Sequence, residues 1–209
     1  MAGSRVAAVG LIASLFGSPV AGQADDSPLR NAAALGWSEG AASAPVRVVE
    51  FSDLSCPYCA SFHEGTRAAL RQEFVEEGQV DWITVSYVSG QYRHSEAAAI
   101  GAECAGRQGR YEDFSAGMLA RQAAWVRGSA AGVEEAVSSV ADELALDSSA
   151  FTACLADPAV RTRLEAVLTM AREAGVRGTP TWFVDGFPVM GDLPTPYARS
   201  FIVDRLRTP

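Results

Sequence analysis

Two cysteines separated by two residues, Cys56-Pro57-Tyr58-Cys59, have the type and spacing for chemistry. One thiolate can attack a disulfide, and its neighbour one helical turn away can resolve the mixed disulfide that forms. The pair follows an apolar run, Val46-Arg47-Val48-Val49-Glu50-Phe51, and precedes an amphipathic stretch from Ala60 to Phe74. That order reads as strand, tight turn and helix, with Cys56 at the helix start. Unpaired N–H groups and the positive end of the helix dipole favour a thiolate there. A structural disulfide closing so short a ring would constrain the unfolded chain little. A zinc knuckle would need a second ligand pair at suitable spacing, but Cys104 and Cys154 stand alone and there are only two histidines. The expectation is a redox dithiol with no metal and no further cofactor.

The neighbouring residues define the rest of the candidate site. Pro57 fits a first helical turn and removes one N–H donor. Tyr58 offers a face for substrate contact and no positive charge. Glu50 lies six residues before Cys56 at the end of a core strand. Burial there is expected to raise its pKa and suit it to shuttle the proton of Cys59. Asp53 reads as a solvated strand-end acid, His63 as a packing or surface residue, and His94 as a helix-start residue. Phe51, Phe62, Phe74, Trp82, Trp182 and Phe183 read as core.

The elements that must position these residues follow from periodicity and punctuation. After a polar lead, Asp25 to Pro45, with Trp37 as a buried anchor, Val46 to Phe51 is a nearly continuous β-branched strand. Cys56 to Phe74 is a long helix, and Val80 to Val88 a second core strand. Ser95 is a candidate N-cap for an Ala-rich helical region. That region holds segments at Glu96–Gln108, Tyr111–Gln122, Val133–Leu144 and about Ser148–Ala174, with a break at Asp157-Pro158. Thr181 to Met190 reads as a hairpin around Asp185-Gly186. Pro188 puts its second strand at a sheet edge. A last helix runs from about Thr195 to Leu206. The expected fold class is α/β: β-α-β, a helical insertion at about 93–174, then β-β-α around a central mixed sheet.

The first 24 residues read as a secretory signal. Arg5 is their single charge, Val6 to Phe16 is apolar or small, and Gly17-Ser18-Pro19 breaks the run before Ala24. The mature domain is then 25–209. The apolar run is short for an uncleaved membrane anchor. The formal charge is −8, and all 17 basic residues are arginine, with no basic stripe to bind nucleic acid. Export and an even cysteine count favour a Cys104–Cys154 disulfide over two free buried thiols. Such a bond would close a loop of about 50 residues and contribute about 4 kcal/mol on a chain-entropy model.

The run Glu50-Phe51-Ser52-Asp53-Leu54-Ser55-Cys56-Pro57-Tyr58-Cys59, taken with Gly175-Val176-Arg177-Gly178-Thr179-Pro180-Thr181-Trp182-Phe183-Val184-Asp185-Gly186, resembles the DsbA-like thiol-disulfide oxidoreductases. These are exported thioredoxin-fold proteins with a helical insertion. The resemblance runs from about residue 36 onward. It implies a cis Thr179-Pro180 bond lying against the dithiol, where freed backbone groups pair with an extended substrate. It also implies a nucleophile at Cys56, a resolving thiol at Cys59, and substrate contacts at Pro57, Tyr58, Thr179 and Pro180. Some members carry a second disulfide like Cys104–Cys154. The strongest oxidants of the family usually have histidine at the place of Tyr58, and its absence here leaves the direction of electron flow open.

The implied activity is a dithiol oxidase that introduces disulfides into secreted or periplasmic proteins and is reoxidised by a further partner such as a membrane protein. With about 20 residues before the first strand, no dimerisation domain is expected, which favours a monomer. An isomerase or reductase on the same fold is the alternative. A substrate-binding module with an inert dithiol and a copper-handling protein are more distant ones.

Overall fold

A computed structural model describes residues 27–207; the signal sequence expected over residues 1–24 lies outside them. Five strands form one mixed sheet: β1 Trp37–Glu39, β2 Val46–Ser52, β3 Val80–Ser86, β4 Thr181–Val184 and β5 Phe187–Met190, in the order β1-β3-β2-β4-β5. Strand β2 lies at the centre, parallel to β3 and antiparallel to β4. Only Arg47 along β2 faces solvent, as expected for a strand covered on both sides. The Asp185-Gly186 turn takes positive φ at both residues, 45° and 82°, the geometry that Asp-Gly favours in a two-residue hairpin. Strand β5 is the sheet edge that Pro188 requires.

The polar lead holds more structure than its composition suggests. Ala32–Leu35 is one helical turn, and β1 adds an antiparallel edge to β3. Trp37 on β1 is half-buried. Its ring stacks on Tyr111 at a centroid distance of 5.7 Å, its Nε1 donates to Glu103 at 3.0 Å, and the Arg163 guanidinium lies 5.2 Å from the ring centroid. Gly106 makes room for this ring: a Cβ there would come within 2.5 Å of it.

The active-site helix runs through residues 57–75 and contains two π-helical stretches, His63–Arg67 and Arg71–Val75. Its buried face, including Phe62, Leu70 and Phe74, packs with Trp82 and Trp182 under the sheet, and the Trp82–Trp182 and Trp182–Phe62 rings stack at 6.0 Å.

Between β3 and β4 the chain is helical at Ser95–Gly106, Tyr111–Ala120, Gln122–Trp125, Ala130–Glu143, Ser148–Leu155 and Pro158–Glu173. Asp147 and Asp157 cap the last two, accepting from the backbone N–H groups of Ala150 and Ala159. Cys104 and Cys154 are joined by a disulfide, tying the first of these helices to the fifth. The last helix, Thr195–Arg207, packs against the active-site helix and closes the sheet. No helix among the described residues is long and apolar enough to cross a membrane.

Candidate functional site

Cys56 leaves the loop after β2 as the N-cap of the active-site helix, with φ −80° and ψ 123°. Its carbonyl accepts the first helical bonds, from the N–H groups of Cys59 and Ala60 at 3.1 and 3.2 Å. Pro57 takes the first helical position, where its missing N–H had no intrahelical partner to lose. Both thiols are free and without exposed surface. Pro57 and Tyr58 instead face solvent, Tyr58 with 64% of its surface exposed.

The second half of the sequence pattern arrives from the residues just before β4. Thr179–Pro180 is cis, and the Cys56 sulfur lies 3.3 Å from the Thr179 carbonyl oxygen. The buried Thr179 hydroxyl has no hydrogen-bond partner among the described residues, but it is near enough to help lower the Cys56 pKa. A hydrogen bond from Ser61 Oγ to Asp192 at 2.6 Å ties the active-site helix to the chain just beyond β5. Tyr58 and Met190, both well exposed, lie on the two segments so joined.

The two sulfurs are electrostatically unlike. A hydrogen bond from Cys59 is the largest influence on Cys56. Burial opposes it, and the Thr179 and Tyr92 hydroxyls and the Cys59 backbone N–H add to it, bringing Cys56 down to about 5. Cys59 moves the other way. Burial, the adjacent Cys56 sulfur and the Glu50 charge push it well above the ordinary thiol range, although the Asp53 N–H donates to it at 3.4 Å. One sulfur is therefore a thiolate at neutral pH while its neighbour keeps its proton.

Glu50 is buried as expected, but its pKa is not raised. Burial alone would raise it. His63 Nε2 at 3.1 Å, Arg67 Nε at 3.2 Å and Trp82 Nε1 at 2.9 Å overcome that cost and hold the carboxyl at about 2. Arg67 is itself buried and also pairs with Glu39 at 2.7 Å and Glu112 at 2.8 Å. His63 is thus part of a buried charge cluster.

Asp53, read from the sequence as solvated, is 3% exposed. Burial raises it to about 6, because its partners are neutral: the Ser55 N–H and the Ser95 hydroxyl, each at 2.8 Å. Ser95 is therefore no cap. His94 takes the N-cap position at φ 64°, and the Ser95 hydroxyl points into the site.

Two further residues come from the helical region. Gln122 is buried and its Nε2 donates to the carbonyls of Leu54 and Cys56 at 2.7 and 2.9 Å, pinning the turn that carries Cys56. Tyr92, on the link between β3 and the first of those helices, packs against the cluster that includes Leu54, Cys56 and Cys59. No sequence signal marks either residue, because both lie 36 residues or more from Cys56 along the chain. The six aromatics read as core are all buried.

The thioredoxin family model matches residues 36–202. The chain is 31% identical over 153 residues to a Na(+)/H(+) antiporter NhaA of Salinispora arenicola, a match covering 70% of this chain and 21% of the antiporter. It thus spans about a fifth of the length of the first curated relatives it matches. A thioredoxin-like oxidoreductase from Silicibacter pomeroyi superposes with a TM-score of 0.68 at 26% identity, covering 84% of this chain and 94% of that one. Alpha-DsbA1 from Wolbachia pipientis gives 0.72 at 18% identity, covering 81% and 89%. The last likeness is one of fold.

Proposed function

The chain belongs to the thioredoxin family, and we propose that it is an exported thiol-disulfide oxidoreductase that donates its Cys56–Cys59 disulfide to protein thiols. The observation that carries this reading is the asymmetry of the dithiol, with Cys56 held at about 5 and Cys59 well above the ordinary range, against the Thr179-Pro180 backbone.

The reaction follows from that asymmetry. A substrate thiolate attacks Cys56 Sγ and breaks the Cys56–Cys59 bond. The electron pair passes to Cys59, whose high pKa makes it take up a proton. A second substrate thiolate then attacks the substrate sulfur of the mixed disulfide and expels Cys56 as a thiolate. A low-pKa thiolate is a good leaving group, and its stability in the reduced enzyme makes the oxidised enzyme an oxidant. The net change is two substrate thiols to one substrate disulfide, with two electrons left on the enzyme. A separate oxidant, a membrane protein or a small molecule, must remove them.

Glu50 serves this chemistry as a fixed negative charge. It lies in an ion cluster, with a pKa too low for a proton carrier near neutrality, and it helps keep Cys59 protonated. Pro57, Tyr58, Thr179 and Pro180 form the substrate-facing surface, and the protein acts as a monomer.

Equilibration of the purified protein with glutathione buffers, with Cys56 ionisation followed by thiolate absorbance, tests the reading. The expected result is a Cys56 midpoint near 5, a potential more oxidising than that of thioredoxin, and transfer of the disulfide to a reduced unfolded protein, abolished in Cys56→Ser. An ordinary thiol midpoint with a thioredoxin-like potential would leave a reductase.

A further inference from the structure

Asp53 lies between β2 and the dithiol and grips both cysteines through its backbone. Its N–H donates to Cys59 Sγ at 3.4 Å, and its carbonyl accepts from the Cys56 N–H at 3.0 Å. Its side chain turns back into the same segment. Oδ1 accepts from the Ser55 N–H and Oδ2 from the Ser95 hydroxyl, each at 2.8 Å. The Ser95 hydroxyl also meets the Tyr92 carbonyl at 3.2 Å, which fixes it from the link before its own helix. Asp53 is buried, so these bonds stand in place of water.

This geometry bears on the sulfur that leaves. Both thiols are free in this structure, the state reached once the disulfide has been opened. The Asp53 N–H is therefore aimed at Cys59 Sγ in the place where that sulfur receives the electron pair. A fixed donor aimed at the position where charge develops stabilises the transition state without reorganisation. The carboxyl opposes it when ionised. Covalent geometry keeps a side-chain carboxyl within a few ångströms of its own N–H, and a buried carboxylate there repels a second negative charge. Both donors to this carboxyl are neutral, so they do not cancel its charge.

We propose that Asp53 is a catalytic residue of the dithiol: its N–H receives the charge that forms on Cys59 Sγ, and the protonation of its carboxyl sets how readily that charge forms. The role rests on the thiol-disulfide exchange reading for its meaning. A thiolate attacks Cys56 Sγ, a new S–S bond forms as the Cys56–Cys59 bond breaks, and the electron pair passes to Cys59 Sγ. A proton from solvent then neutralises Cys59. With Asp53 neutral the N–H acts unopposed; with Asp53 ionised the attack slows. Burial places the changeover at about 6. The other groups around the site keep one charge over that range or are told apart by substitution. Glu50 acts on Cys59 from β2, but His63 and Arg67 hold it ionised, at about 2. The link before the helix at Ser95 contributes Tyr92, whose hydroxyl is pushed upward and stays neutral, and His94. The helical insertion contributes the neutral Gln122.

The test is the rate at which a small thiol opens the oxidised enzyme from about pH 4.5 to 8, divided by the reductant's thiolate fraction. In the wild type this rate constant should fall about tenfold as pH rises through about 6. Asp53→Asn, which keeps the N–H, should hold the low-pH value throughout. Ser95→Ala takes away one neutral donor and should move the inflection upward. His63→Gln and His94→Asn should leave it in place. A flat wild-type profile, or an inflection that survives in Asp53→Asn, would overturn the role of the carboxyl. The Asp53 amide proton reads the contact with sulfur and should shift in NMR spectra between reduced wild type and Cys59→Ala. An unmoved resonance would overturn the role of the N–H. A thioredoxin-like potential with the inflection intact would instead sink the oxidase reading alone, so the two failures are told apart. Thermal unfolding of the oxidised variants checks that each is folded.

Discussion

Glu50 lies on β2 and Asp53 one residue beyond its end; both are buried, yet one is held at about 2 and the other raised to about 6. Burial raises both, and the difference lies in the partners. Glu50 meets a guanidinium, an imidazole and an indole N–H, whereas Asp53 meets only a backbone N–H and a hydroxyl. Neutral donors partly replace water for a carboxylate but do not balance its charge. Depth in the protein alone therefore does not tell which carboxylate is available to exchange a proton near neutral pH. The partners do, and they leave Asp53 in that range and remove Glu50 from it.

The largest expected effect comes from taking away the cation. Arg67→Met leaves Glu50, Glu39 and Glu112 without their shared partner and should cost about 3–5 kcal/mol at pH 7 by urea unfolding. Because the Glu50 pKa is depressed, its contribution is present above the ordinary carboxylate value near 4.5 and is lost as pH falls through about 2. In the variant Glu50 titrates upward, so the deficit should shrink on acidification to pH 4. An equal deficit at both pH values would mean that Arg67 acts by packing alone.

Asp53→Asn examines the other acid. A raised acid favours the folded state most when protonated, so its contribution is full below the unfolded value near 3.8 and is lost as pH rises through about 6. The reduced wild-type protein should lose on the order of 2 kcal/mol more stability than Asp53→Asn between pH 4 and 7.5. Subtracting the two curves removes the opposing contribution of Cys56, which grows as pH rises above about 5. Parallel curves would show that Asp53 does not titrate in this range.

Ser95→Ala is the smallest perturbation. It deletes one neutral donor, so it should cost about 1 kcal/mol and move the Asp53 midpoint further up. That midpoint can be followed by carbon NMR of the carboxyl group. A downward shift would contradict the account of Asp53 as a carboxylate stabilised only by neutral donors.

Local chemistry was legible in the chain itself. The Cys-x-x-Cys after an apolar run, the Asp-Gly hairpin and the break at Asp157-Pro158 report on residues within a few positions of one another, which backbone geometry ties together. Strand β2 and the helix behind Cys56 could be read for the same reason. The turn Ala32–Leu35 and strand β1 could not, because a three-residue edge strand forms only against a partner already in place, here β3. The fates of Glu50 and Asp53 were likewise hidden. Both sit in one short segment, and what separates them arrives from the active-site helix, β3 and the start of the helix at Ser95.

The sequence alone determined that Cys56 and Cys59 sit at a helix start and that Thr179-Pro180 precedes a hairpin, since spacing and turn chemistry are local properties. The tertiary structure decided which acid carries charge and what pins the turn that carries Cys56. Those depend on Gln122, Ser95 and Arg67 approaching through space, and electrostatic energies in a buried site are set by such neighbours at a few ångströms rather than by order along the chain.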